Sequence, residues 1–162
     1  MKTLDYIHLD ATGANKVVSG LQQLLADFQV YYTNLRGFHW NIKGHAFFVL
    51  HSKFEELYDD AADKVDEIAE RILMLGGTPV NTFSEYLKTS HVKEVSSVSC
   101  GNEALNNVLD TFSLLIEEER ALLKVASAAN DEATVSLLSD YLKAQEKTVW
   151  MLVAFASGDC KK

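Results

Sequence analysis

Proline occurs once and glycine eight times in 162 residues. That is too little turn-forming material for a fold of many short strands, so the composition favours an all-helical chain. Cysteine is equally scarce. Cys100 and Cys160 are too few and too isolated for a disulfide framework or a structural zinc site. No apolar run reaches 18 residues, and the opening MKTLDYIHLD lacks an apolar stretch of signal-peptide length. No membrane span is therefore expected, and a reducing cytoplasm is the expected location. Basic residues number 15 against 23 acidic ones, a net charge of −8. Such a balance argues against a broad nucleic-acid footprint and suits a protein that attracts cations.

What is abundant is apolar residues spaced by three and four. Val17, Leu21, Leu24, Leu25, Phe28, Tyr31, Leu35 and Phe38 place a first long helix over 14–39, with Asp10 or Thr12 available as its cap. A break at Asn41 to Gly44 precedes a second helix over 45–75, built on Leu50, Phe54, Leu57, Ala61, Ile68 and Ile72 and stopped by Gly76-Gly77-Thr78-Pro79. Residues 76–101 are too long for a hairpin link and carry a short helix near 82–88. A third helix runs from Asn102 to about Ala126, Asn130-Asp131 interrupts, and a fourth covers 132–156. Two short links and one long crossover describe an all-α, ferritin-like four-helix bundle. With no internal repeat or low-complexity segment, residues 1–162 read as a single domain.

The chemistry concentrates in RGFHWNIKGHAFFVLHSKF, residues 36–54, where three histidines and a tryptophan stand among four phenylalanines. His39 ends the first helix and His51 lies near the start of the second, so both sit at one bend. Glu55 follows His51 by one turn, and Asp66 and Glu70 share a face further along. At about 100° per residue, Glu55 and Asp66 point within about 20° of each other. Phe48, His51, Glu55, Tyr58, Ala62, Asp66 and Leu73 thus form a second stripe beside the core stripe. A neighbour must cover it, and a second copy of the chain is the simplest one. Imidazoles with carboxylates suit Fe(II), Zn(II) or Mn(II). The in-bundle diiron pattern needs Glu-x-x-His motifs. None exists here, because Asp5, Arg36, Ile42, Phe48 and Lys88 stand three before the five histidines. His51 and Asp66 lie ~22 Å apart on a continuous helix, so they can meet only across a two-fold axis that pairs two copies.

NLRGFHWNIKG, FFVLHSKFEELYDD and DEIAERILMLGGTP, in that order and spacing, resemble the Dps family of mini-ferritins. The resemblance covers roughly 14–157, most specifically 34–79, with KTVWMLVAF matching near the C-terminus. It implies a hollow dodecamer built from two-fold dimers that oxidises Fe(II), preferably with hydrogen peroxide, and stores the ferric mineral. It also implies that His39 and His51 of one subunit join Asp66 and Glu70 of the next around iron, with Glu55 as a further ligand. Trp40 matches a tryptophan beside the site, where it intercepts oxidising equivalents or packs at the interface. Iron is the metal required, with no organic cofactor. The family's acidic three-fold pores fall near Asp131, Glu132 and Asp140.

The sequence departs from DNA-binding members of that family. Its N-terminal tail offers only Lys2 before Lys16, and Lys161-Lys162 form a small basic patch at the other end. Binding by counterion release needs many cationic contacts, so direct DNA binding is not expected. A nucleoid-binding structural protein with an incidental metal site is the alternative. Among the remaining polar residues, His45 reads as surface or cap, and His8 and His91 have no partner pattern. The run Glu117-Glu118-Glu119-Arg120 reads as solvated or subunit-contact charge.

Overall fold

The computed structural model describes residues 2–157. Four long helices carry the fold: α2 (Ala11–Asn41), α3 (Phe47–Met74), α5 (Gly101–Ala128) and α6 (Glu132–Ala156), with the short α4 (Phe83–Thr89) in the crossover. A five-residue α1 (Thr3–Ile7) precedes them and was not expected. The helix starts follow their caps. Asp10 accepts from the Gly13 amide at 2.8 Å, so α2 begins three residues earlier than its apolar pattern. Gly44, at φ +106°, opens the bend into α3 and delays that helix to Phe47. Gly76, at φ +81°, ends α3 in the left-handed conformation that glycine adopts without a Cβ clash, and the Gly77 amide bonds back to the Ile72 carbonyl.

The helices pack as two hairpins, α2 on α3 and α5 on α6. A bridge between Lys43 and Cys100 brings the start of α5 to the α2–α3 bend. Helix α5 therefore runs parallel to α3 and antiparallel to α2, the connectivity a long crossover demands. Leu21, Leu24, Leu25, Phe28, Leu35, Phe54, Ile68, Ile72, Leu115 and Leu138 fill the centre without measurable exposure beyond one per cent. Each such side chain contributes roughly 1.5–3 kcal/mol of burial. Edge-on aromatic pairs, Phe28 with Tyr141 and Tyr31 with Phe112, join α2 to α6 and α5.

The crossover travels the length of α2, and α2 holds it with polar side chains. Gln22 donates to the Thr78 carbonyl and accepts from the Val80 amide. Gln23 donates to the Thr89 carbonyl. Asn34 donates to the Lys93 carbonyl at 2.8 Å and accepts from the Val95 amide at 3.0 Å. A loop this long would otherwise leave its backbone groups buried and unpaired. Among the described residues no helix is long and apolar enough to cross a membrane. Cys100 is exposed, with a free thiol; Cys160 and Lys161-Lys162 lie outside the described residues.

Candidate metal centre

His39 and His51 face each other across the bend in a reciprocal clasp. The His39 Nδ1 lies 2.8 Å from the His51 carbonyl, and the His51 Nδ1 lies 2.8 Å from the His39 carbonyl. A carbonyl only accepts, so each Nδ1 donates its proton to the other residue's backbone, and in the neutral imidazole that tautomer leaves Nε2 as the acceptor. The clasp has a local cause. The Lys43 amide turns away to the Ser99 carbonyl, which leaves the His39 carbonyl at the end of α2 open to a side-chain partner. The rings stack with centroids 3.7 Å apart at 19°. Phe47 stacks on the His51 ring, and Tyr58 stands edge-on against His39. Binding one ring nitrogen to a backbone carbonyl is the usual way to orient a histidine ligand and fix its tautomer.

Glu55 is exposed one turn after His51, and the Tyr58 hydroxyl donates to its Oε1 at 3.4 Å. Asp66 and Glu70 are also exposed, but α3 is unbroken between them and the histidines. The ~22 Å separation therefore holds within the chain. The structure brings His39, His51 and Glu55 to one end of α3 and leaves Asp66 and Glu70 at the other. Arg71 does not neutralise that acidic pair, because its guanidinium donates to Thr134 and to Asp131. Trp40 is 63% exposed beside the clasp, with the Arg36 guanidinium 4.7 Å from its ring centre. Phe48, 82% exposed, and Leu73 extend the same uncovered stripe. Large apolar side chains in such a row mark a contact surface.

Two polar clusters escaped the sequence reading. Asp27 on α2, His91 in the crossover and Glu118 on α5 each offer a ligand atom, all within 4.8 Å of one another. The Asp27 carboxylate is fully buried and accepts from Ser90 Oγ and from the His91 and Val92 amides. The His91 Nδ1 lies 2.5 Å from Glu118 Oε1. Burial, and then the Asp27 carboxyl that Glu118 meets, push Glu118 up to about 7. The hydrogen bond to Glu118 raises His91. So His91 does have partners, and Glu118 is not a solvated charge.

The second cluster lies inside the bundle. Glu119 is wholly buried and its Oε1 accepts from Gln145 at 2.6 Å. Its Oε2, the Gln145 Oε1 and the Tyr31 hydroxyl have no hydrogen-bond partner among the described residues. Burial pushes the Glu119 carboxyl up to about 8. Lys64, buried and paired with Asp60, covers the Tyr141 ring nearby. Only Glu117 and Arg120 of the four-residue charge run stay exposed. The signal was in the sequence, since Glu119 falls in the core register of Phe112, Leu115, Leu122 and Ala126.

Asp131 also differs from expectation. It is buried, caps α6 through the Thr134 amide and pairs with Arg71 at 2.5 Å, so it offers no free carboxylate to a pore. Glu132 and Asp140 are exposed. His45 is exposed too, and Ala46 rather than His45 precedes α3 as its cap.

Two helical hairpins joined by a crossover, with two histidines clasped at the bend, define a ferritin-like protein, and residues 18–158 match the family of ferritin-like domains. Within that class the likeness is specific. The chain is 54% identical over 156 residues to a DNA protection during starvation protein of Porphyromonas gingivalis, covering 96% of this chain and 98% of that one. A second such protein, from Bacillus anthracis, is 39% identical across 86% of this chain and 96% of its own. The crystal structure of a Dps protein from Vibrio cholerae O1, described as a member of a broad superfamily of ferritin-like diiron-carboxylate proteins, superposes with a TM-score of 0.89. It is 47% identical, over 91% of this chain and 92% of that one. The chain belongs to the Dps family.

Proposed function

We propose that this protein oxidises Fe(II) at sites shared between two copies of the chain and stores the ferric product inside a hollow dodecamer. The observation that carries the reading is the clasp. It ties two imidazoles from two helices together at one bend through their Nδ1 edges, one helical turn before Glu55 and at the edge of an uncovered apolar stripe. Three N/O donors suit Fe(II) and leave coordination positions open. Asp66 and Glu70 complete the set when a two-fold axis packs two α3 helices antiparallel, which builds two identical sites per pair. Iron is substrate and cargo here. Two Fe(II) ions each give one electron to one hydrogen peroxide, which takes up two protons and leaves as two waters, so no hydroxyl radical is released. Trp40 stands where stray oxidising equivalents would reach it first. The acidic surface draws the cation in, and a cytoplasmic location fits the reading. Protection of DNA, the role in the relatives' name, then comes from removing iron and peroxide together.

Complementation tests the shared site. A chain carrying His39→Ala and His51→Ala should be nearly inactive alone, as should one carrying Asp66→Ala and Glu70→Ala. Co-refolded in equal amounts, they form mixed pairs in which one site unites both intact halves. Random pairing restores roughly a quarter of the wild-type sites, read as fast Fe(III) absorbance after anaerobic Fe(II) loading and addition of peroxide. Mixed oligomers, verified by mass spectrometry, that gain nothing over either parent reject the shared site. Retention of DNA in a low-salt gel shift without divalent metal would instead favour the nucleoid-binding reading.

A further inference from the structure

The cluster of Asp27, His91 and Glu118 lies far from the clasp. Twelve residues of the unbroken α2 separate Asp27 from His39, or ~18 Å. Three separate elements supply its donors, which is how a fold builds a site rather than a chance pair on one helix. Two carboxyl groups meet here, and two ionised carboxylates in contact require a proton or a cation between them. The Glu118 Oε2 is buried with no partner among the described residues, so one acceptor stays unused inside the cluster.

Asp27 is also held as a metal ligand is held. Its Oδ1 accepts three donors from the crossover, and its Oδ2 accepts from Gln23 Nε2 at 2.8 Å. Such outer hydrogen bonds fix a ligating carboxylate before the metal arrives. His91 and Glu118 line an open cleft of about 280 Å³ between α2, the crossover and α5, which gives an ion a route in.

We propose that Asp27, His91 and Glu118 form a divalent-cation site, separate from the iron-oxidising site, that clamps the crossover to α2 and α5. One imidazole with two carboxylates selects borderline ions such as Zn(II) or Co(II) over Mg(II) and Ca(II), which prefer all-oxygen shells. The His91 ring swings from its contact with Glu118 to share the ion with it, and the buried Oε2 gains a partner. No redox step is involved.

Cobalt reports the site directly, because its visible bands respond to nitrogen ligation. The assembled apo-protein with His39→Ala and His51→Ala, which removes the other histidine pair, is titrated with Co(II). Saturation near one Co(II) per chain is expected, displaced by Zn(II). Adding His91→Ala or Glu118→Gln should weaken that binding by about tenfold or more. Equal stoichiometry and affinity with and without His91 overturns the site, as does a background protein that binds no cobalt. Wild-type crystals soaked in Zn(II) give an independent reading. An anomalous peak among the three side chains supports the site, and its absence at saturating zinc overturns it. Loss of this site should leave fast iron oxidation unchanged, so its failure is distinguishable from failure of the iron-oxidising reading.

Discussion

At the scale of single residues, the clasp makes its two histidines unequal to ordinary ligands, because each ring depends on the other's backbone. His51→Ala removes one proposed ligand and leaves the His39 carbonyl without its donor. Fast Fe(II) oxidation should fall by well over tenfold in an assembled shell, whereas Tyr58→Phe, which keeps the ring against His39 and loses only a long hydrogen bond to Glu55, should stay within about threefold of wild type. Stopped-flow absorbance after peroxide addition distinguishes the two. Glu119 sets a pH dependence of a different origin. Its folded-state value, near 8, lies above the usual carboxylate range because burial disfavours the charge. The stability it permits is complete below the unfolded value, about 4.5, and is lost as pH rises through 8. Thermal stability of the wild type should fall between about pH 5 and 8, by up to about 1.4 kcal/mol per unit from this group, and level off above that. Glu119→Gln, which mimics the protonated form, should decline less, and its advantage should widen up to about pH 8 and then hold. Parallel melting curves for the two proteins would remove Glu119 from the account.

At the scale of elements, the long helices were legible because their apolar spacing is the same quantity that the core uses. The bend histidines were legible for a related reason, since large apolar neighbours fixed which helix ends they occupy. The crossover's path was not. It is set by Gln22, Gln23, Asp27 and Asn34, polar residues on a helix face that the apolar pattern leaves unmarked. Asp27 and His91 lie 64 residues apart in the chain, and no local spacing links them. Helix α1 was missed because five residues with no fully buried side chain leave almost no periodic signal. The pins can be tested one at a time. Asn34→Ala leaves the part-buried Lys93 carbonyl and Val95 amide without this partner, at about 1 kcal/mol. The Val95 amide should then exchange with solvent about tenfold to a hundredfold faster, while amides in α6 keep their protection. Uniform loss of protection would mean that the crossover and bundle open as one unit.

At the scale of the whole molecule, the uncovered stripe on α3 connects chemistry to assembly. Phe48 stands among the proposed ligands yet is 82% exposed in the single chain. In the proposed two-fold pair it is buried, so Phe48→Glu should place a charge in that contact and release small species on native mass spectrometry. The fast oxidation phase should vanish with the shell, although every proposed ligand remains. A variant that stays dodecameric and active would place the contact elsewhere. The net charge of −8 per chain adds a rate effect. Initial iron uptake should slow as ionic strength rises, because attraction over distances beyond ~8–10 Å is screened.

The unbroken length of α3 has one more consequence, concerning the order of events in a cell making this protein. A newly finished chain carries His39 and His51 at one end of that helix and Asp66 and Glu70 at the other. In the proposed site, it holds only half of what oxidation needs. Iron chemistry therefore waits until a partner has docked, and docking is also the first step toward closing the container. Had α3 been broken so that the four ligands met in one chain, each monomer would begin making ferric mineral with nowhere to put it.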